Sequence, residues 1–285
     1  MEETLEPCRN PELALRVTLL PRDTNPTGSI FGGVILSYVD LAGVVPAKRL
    51  EPALRFVTVA MDRIQFHAPV FVGDVVSFYT CVRRIGRTSV TVQVDVVVER
   101  RDRPGVEERV TDALVTYVAI GEDGRPVPIR RGGEELRKAP PPPRPEPRER
   151  PLVGERRDPA LRVTLLPRDT NAAGAIFGGV ILSHLDLAAA IPAARINPAR
   201  RYVTVAMDRI QFHAPVFVGD LVSFYTQVLR IGRTSITVGV DVFVERRDRP
   251  GVEECVTEAV VTYVAIGRDG RPVPIRDVEP PAVES

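Results

Sequence analysis

The chain has 285 residues, of which 44% are hydrophobic and 26% charged, and a formal net charge of +1. That length fits one large or two ordinary domains, and that balance fits a soluble globular protein. Near-neutral charge excludes the strong basic field of a nucleic-acid or anionic-membrane binder, so no nucleic-acid or membrane partner is expected and any anionic ligand must be held by local groups.

The acidic start, Met1-Glu2-Glu3-Thr4, lacks a signal-peptide pattern, and no apolar run reads as a membrane span. The three cysteines, Cys8, Cys81 and Cys255, form no CxxC pair and no metal spacing. No metal, no disulfide framework and a cytoplasmic location are expected.

In chain order, Leu15–Leu20 reads as a short strand and Pro21–Ser29 as a turn-rich stretch. Ile30–Leu50 is apolar and helix-like, with Gly32-Gly33 near its start. Four β-rich runs follow, Val57–Phe66, Asp74–Arg84, Arg87–Arg100 and Glu108–Ile120, and in the third Val92, Val94, Val96 and Val98 share one face. One helix before four long strands predicts an α+β unit, an antiparallel sheet wrapped around a central helix. The stretch 131–159, rich in Pro, Arg and Glu, cannot form a packed core and reads as a linker.

The whole pattern then repeats. LRVTLLPRDTN begins at Leu15 and at Leu161, GRTS at Gly86 and Gly232, and GRPVPIR at Gly124 and Gly270, each pair offset by 146 (161 − 15). The expected organisation is a first domain over 1–130, the linker, and a second domain over 160–285, forming a pseudo-two-fold dimer within one chain. The two sheets could pair at their edges and leave no open strand.

Duplication also sorts the candidate residues, because chemistry needed in both halves should appear twice. Cys81 corresponds to Gln227, Cys255 to Arg109 and His184 to Tyr38, so none of these is a shared catalytic group. Asp40 and Asp186 do recur, inside otherwise apolar helices. A carboxylate there is costly unless paired or working, and burial makes it a stronger base; the alternative is an Asp on the helix's solvent edge. Asn25 and Asn171 lie in the preceding turns, where Asn is also ordinary turn chemistry. Gly32 and Gly178, with the glycines after them, could offer free helix N–H groups to an oxyanion or simply allow close packing.

Spacing constrains how these groups combine. Gly32 and Asp40 are 8 residues apart, roughly 12 Å along a helix, too far for one carbonyl to touch both. If both act, Gly32 and Asn25 must work with Asp186, and Gly178 and Asn171 with Asp40. His67 and His213 read as structural. Arg87 and Arg233, with Thr88, Ser89, Thr234 and Ser235, could bind phosphate or be ordinary exposed strand-end residues.

The runs PRDTNPTGSIFGGVILSYVDLAG and PRDTNAAGAIFGGVILSHLDLAA, with VTVAMDRIQFHAPVFVGD, GRTS and VTYVAIGEDGRPVPI, resemble the hotdog-fold acyl-CoA thioesterases across nearly all of both repeats. The resemblance implies hydrolysis of acyl-CoA to free acid and CoA with no separate cofactor. It makes Asp40 and Asp186 the catalytic carboxylates, with Asn25 and Asn171 as partners across the pseudo-dimer interface. It also implies a homo-oligomer, a trimer of pseudo-dimers. Some relatives carry a Thr one turn after the acid; here Val44 and Ala190 stand there. A hydratase or dehydratase of enoyl thioesters and a non-catalytic acyl-CoA sensor are the competing readings.

Overall fold

The computed structural model describes residues 10–131, 134–135, 149–151, 158–171 and 173–276; most of the expected linker falls outside them. The first copy runs β1 (Glu12–Thr18), α1 (Gly32–Leu50), β2 (Arg55–Phe66), β3 (Val75–Ile85), β4 (Ser89–Glu99) and β5 (Glu107–Ile120). Short strands β6 (Arg130–Arg131), β7 (Glu134–Glu135) and β8 (Glu149–Pro151) follow. The second copy runs β9 (Leu161–Thr164), α2 (Gly178–Ile196), β10 (Arg201–Phe212), β11 (Leu221–Ile231), β12 (Ser235–Glu245) and β13 (Val252–Ile266).

Alternation sets the faces of the strands. Val90, Val92, Val94, Val96 and Val98 of β4 are all fully buried, and they point at the helix. The helix returns the contact through Ile35, Leu36, Val39, Ala42 and Ala47, spaced for one face. Each copy is thus a sheet curled over one helix, as expected.

The two sheets fuse into one of eleven strands, in the order β1-β3-β4-β5-β2-β10-β13-β12-β11-β9, with β8 pairing β13. The seam is the antiparallel pair β2 and β10, with Met61 opposite Ile210 and Ile64 opposite Met207. This corrects the expectation of a sheet without open strands. One junction uses one edge of each half, so β1 and β9 remain as outer edges.

Two further expectations need correcting. Cys81 is disulfide-bonded, whereas Cys255 is a free, buried thiol; the third cysteine, Cys8, lies outside the described residues. The absence of a CxxC pair carries no information on such a bond. In addition, the 19-residue α2 is long and apolar enough to cross a membrane by length and composition. Its apolarity has another use here, since it buries Ile181, Leu182, Leu185, Ala188, Ala189 and Ala193 inside the fold.

The helices meet across the pseudo-two-fold axis. Ser37 Oγ and Ser183 Oγ lie 2.6 Å apart, and each hydroxyl also bonds the carbonyls of Gly33 and Gly179. The approach is so close that a Cβ on Gly179 would lie 2.5 Å from Ser37 Cα, and one on Gly33 2.7 Å from Ser183 Cα. Backbone cannot rotate aside as a side chain can. Gly33→Ala and Gly179→Ala should each lower stability by about 1–3 kcal/mol through overpacking. A shift in the urea midpoint reads this, and unchanged midpoints for both variants would show that the helices can part freely.

Candidate active site

Neither helix has its own side-chain N-cap: Phe31 and Phe177 hold the cap positions without a capping bond. The first free N–H groups of a helix need acceptors. Each helix takes its acceptor from the other copy. Gly33 N–H donates to Asp186 Oδ2 at 2.8 Å, and Gly179 N–H donates to Asp40 Oδ2 at 2.9 Å. The two aspartates are therefore reciprocal helix caps across the interface, and the positive helix ends favour their charge.

The other carboxylate oxygen takes a hydroxyl from a strand. Thr58 Oγ1 donates to Asp40 Oδ1 at 2.5 Å, and Thr204 Oγ1 to Asp186 Oδ1 at 2.9 Å. A buried tyrosine closes each arrangement from behind. Tyr117 Oη donates to the Asp40 carbonyl at 2.8 Å, and Tyr263 Oη reaches both the Asp186 carbonyl at 2.6 Å and its Oδ1 at 2.8 Å. A Cβ at Gly43 would overlap Tyr117 Oη. The second copy has Ala189 at the matching position, which fits a tyrosine hydroxyl lying nearer the carboxylate there.

Both aspartates are 0–1% exposed, which removes the solvent-edge alternative. Burial raises the pKa of each above the ordinary carboxylate value. For Asp40 the bonds from Thr58, Gly179 and Tyr117 partly offset the rise, and for Asp186 those from Gly33, Tyr263 and Thr204 do so. Burial, followed by the neighbouring aspartate charge and hydrogen bond, pushes both tyrosines well above their usual range, so they stay protonated donors.

Two cavities open onto this interface. One, of about 360 Å³, is lined by Asp40, Thr58, Asn171 and Gly178 among apolar residues including Phe56, Ile181 and Phe212. The other, of about 420 Å³, is lined by Asn25, Gly32, Thr204, Phe66 and His67. Asp186 lies directly behind the second wall, in contact with Thr204. The groups grouped by spacing therefore meet in space, Asn171 and Gly178 near Asp40, and Asn25 and Gly32 near Asp186.

The glycine that bonds the carboxylate is the second of each pair. The N–H groups of Gly32 and Gly178 donate no hydrogen bond among the described residues. Close packing holds as well, since a Cβ on Gly32 would lie 3.1 Å from the Phe66 ring and one on Gly178 3.3 Å from Asp40 Oδ2. Ordinary turn chemistry is also present at the asparagines. Asn25 Oδ1 accepts from Thr27 N and Ser29 N, and Asn171 Oδ1 from Ala173 N and Ala175 N. Asn25 Nδ2 is further tied to Ser29 Oγ at 2.9 Å, whereas Ala175 offers Asn171 no such acceptor.

The Gly-Arg-Thr-Ser turns are placed differently. Arg87 and Arg233 are exposed, Ser89, Thr234 and Ser235 are part-buried, and Thr88 is buried with an unpartnered hydroxyl. None of the six lines either cavity. The turns pack against the strand ends that form the cavity lips, with Ala119 N–H bonding Thr88 O and Ala265 N–H bonding Thr234 O. His67 and His213 pair with Asp112 and Glu258 at 2.6 and 3.4 Å. Sequence reasoning missed Thr58, Thr204, Tyr117 and Tyr263. A repeated Tyr in an apolar strand is the signal that could have found two of them, because a buried phenol needs a partner. Val44 and Ala190 carry no hydroxyl, and Thr58 and Thr204 supply one from a strand instead.

A sheet curled over one helix, paired with its copy through β2 and β10, is the tandem hotdog arrangement. The "Thioesterase superfamily" pattern matches residues 27–104 and 173–250, and the chain belongs to this family. It is similar to an uncharacterized acyl-CoA thioester hydrolase of Haemophilus influenzae, at 45% identity over 39% of this chain and 73% of the relative. It is also 40% identical to the acyl-CoA thioester hydrolase YciA of Salmonella typhimurium, over 44% of this chain and 96% of that protein. Among solved structures, a hexameric hotdog fold thioesterase of Campylobacter jejuni is 49% identical over 42% of this chain and 90% of its own, with a TM-score of 0.39. A putative oleoyl thioesterase of Lactobacillus plantarum covers 91% of this chain and 98% of its own at 13% identity and a TM-score of 0.62, a likeness of fold.

The raised pKa values set a sign. A buried aspartate whose folded pKa exceeds its unfolded value costs stability once both states are ionised, and costs nothing where both are protonated. Asn can keep both contacts, accepting from the glycine N–H and donating to the threonine oxygen. Asp40→Asn and Asp186→Asn should therefore raise the melting temperature at neutral pH. The gain should fade as pH falls toward 3.8, the ordinary carboxylate value. A loss of stability at neutral pH would mean that the hydrogen bonds outweigh burial.

Proposed function

We propose that this chain hydrolyses acyl-CoA thioesters through two composite sites, one built from Asp40, Asn171 and Gly178 and the other from Asp186, Asn25 and Gly32. The carrying observation is the pair of buried carboxylates, each held at the helix N-terminus of the opposite copy and beside a largely apolar cavity. The relatives named as acyl-CoA thioester hydrolases support the substrate class.

Each element has work in such a reaction. The apolar cavity takes the acyl chain. The N–H of Gly32 or Gly178 stabilises the oxyanion as the thioester carbonyl is attacked. The aspartate, a stronger base than in water because it is buried, activates water as general base or attacks the carbonyl as nucleophile. Thr58 or Thr204 and the following glycine's N–H hold the carboxylate in place. The asparagine orients water or the carbonyl. The thiolate of CoA leaves without a strong general acid. Arg87 and Arg233 are proposed as outer contacts to the nucleotide, reached from turns beside the cavity lips rather than from inside them.

Thiol release from acyl-CoA tests the activity, and a protein that retains CoA without releasing thiol would be a binding protein instead. Rate should fall as pH drops through a value above the usual carboxylate range. Pairing across the interface makes a sharper expectation. Asn25→Ala with Asp186→Asn damages one site twice and should spare the other, whereas Asn25→Ala with Asp40→Asn damages both. Equal residual activity in the two double variants would refute composite sites.

Assembly follows the solved hexameric thioesterase of Campylobacter jejuni, which supports a homo-oligomer here. With two domains per chain, we propose three chains, a trimer of pseudo-dimers. Light scattering should give the mass of three chains, and a monomeric mass would refute it.

A further inference from the structure

The two cavities are built from the same positions of the two repeats, so their differences can be read one by one. Among lining positions that both share, only three differ chemically. Thr27 and Ser29 of one stand where the other has Ala173 and Ala175, and Arg268 of one stands where the other has Glu122. The last exchange reverses a charge at an exposed turn, on the lip rather than the floor of the cavity.

The lips differ accordingly. The cavity of the Asn25 and Asp186 site is lined at its lip by Arg201, Arg268 and Asp269. Arg201 is anchored, its guanidinium bonding Gly267 O at 2.6 Å. The cavity of the Asn171 and Asp40 site is lined at the same place by Glu122 and Asp123. Arg55, the counterpart of Arg201, makes the matching bond to Gly121 O at 3.2 Å, so the charge difference between the two lips is the exchange of Arg268 for Glu122. A CoA thioester enters acyl end first, so its diphosphate and 3′-phosphate stay at the lip. There they meet Arg268 at one mouth and Glu122 at the other, a positive charge against a negative one at the same position of the two repeats.

Resting on the thioesterase reading above, we propose that the two sites have diverged in specificity. Arg268 makes the Asn25 and Asp186 site the one that takes the nucleotide-bearing CoA thioester. Glu122 lowers the preference of the Asn171 and Asp40 site for the phosphate-bearing carrier, so that it distinguishes less between CoA and carriers without those phosphates. Arg268 and Glu122 are thus specificity-determining residues, acting on the carrier and not on the acyl group. Both are exposed, so the effect is long-range and must weaken with salt.

The test isolates each site and varies only the carrier. Asp40→Asn leaves the site with Arg268, and Asp186→Asn leaves the site with Glu122. For each, the ratio of kcat/KM on an acyl-CoA to kcat/KM on the matching acyl-pantetheine is measured. At low salt the ratio should be about three- to tenfold higher in Asp40→Asn than in Asp186→Asn, and the gap should close near ~0.5 M salt. Adding Glu122→Arg to Asp186→Asn should raise its ratio, and adding Arg268→Glu to Asp40→Asn should lower its ratio. Equal ratios in the two single-site proteins, or charge reversals that leave the ratio unmoved, overturn the proposal. Should a single-site protein be inactive, calorimetric titration of the wild-type chain with CoA reads the same asymmetry. Two unequal sites, with the tighter lost in Arg268→Glu, support it, and two equal sites overturn it. A wild-type chain that releases thiol from neither substrate removes the thioesterase reading itself, an outcome distinct from all of these.

Discussion

The structure depends on a single reciprocal contact, the donation of Gly33 N–H to Asp186 and of Gly179 N–H to Asp40. Each helix begins without a cap of its own, and each carries a carboxylate that would be ruinous to bury alone. Two deficits of opposite sign partly offset each other when the copies face each other. For the distance to work the helices must come almost into backbone contact, which excludes a side chain at Gly33 and Gly179. The Ser37 and Ser183 pair then fills the polar gap left beside them. The closeness that makes the interface tight is the closeness that brings each aspartate to the other copy's helix end.

The same contact bears on the basicity of the carboxylates. A helix N-terminus and hydroxyl donors would by themselves hold a carboxylate well ionised and weakly basic. Complete burial works against them and wins, since the net shift for both aspartates is upward. The balance leaves a base stronger than an exposed aspartate but still fixed in orientation by bonds to both oxygens. Tyr263 Oη lies 2.8 Å from Asp186 Oδ1 as well as 2.6 Å from the Asp186 carbonyl, whereas Tyr117 Oη makes its short contact, at 2.8 Å, to the Asp40 carbonyl, so the two carboxylates are held similarly but not identically.

Much of this was legible before any coordinates. The repeat pointed to two copies, the alternation in β4 to its buried face, and the separation of Gly32 from Asp40 to a partner from the other copy if both act. What was not legible came from strands. Thr58 is 18 residues from Asp40 and Tyr117 is 77, and nothing local marks either as its neighbour. Which of two adjacent glycines meets the carboxylate depends on the helix's exact rotation, which sequence does not fix. The Gly-Arg-Thr-Ser turns drew attention because arginine suits phosphate, but composition says nothing of direction, and these side chains lie outside both cavities. The sheet's remaining edges were missed because edge pairing was reasoned for a closed pair, whereas one seam joins only two edges.

Fusion changes what such an interface can become. In a homodimer the two composite sites are identical by symmetry, and a substitution at one lip is a substitution at both. Joining the copies in one chain keeps the paired helices and the reciprocal caps but frees every other position to differ. The groups assembled around both carboxylates are the same in the two repeats: Asp, Asn, the glycine pair, the strand Thr and the buried Tyr. Differences have collected where the paired caps impose no constraint, at the lip with Glu122 against Arg268 and around the asparagine with Ser29 against Ala175. The interface restricts the centre of each site and leaves its rim free, so divergence in this chain can alter what a site admits without altering how the site is held.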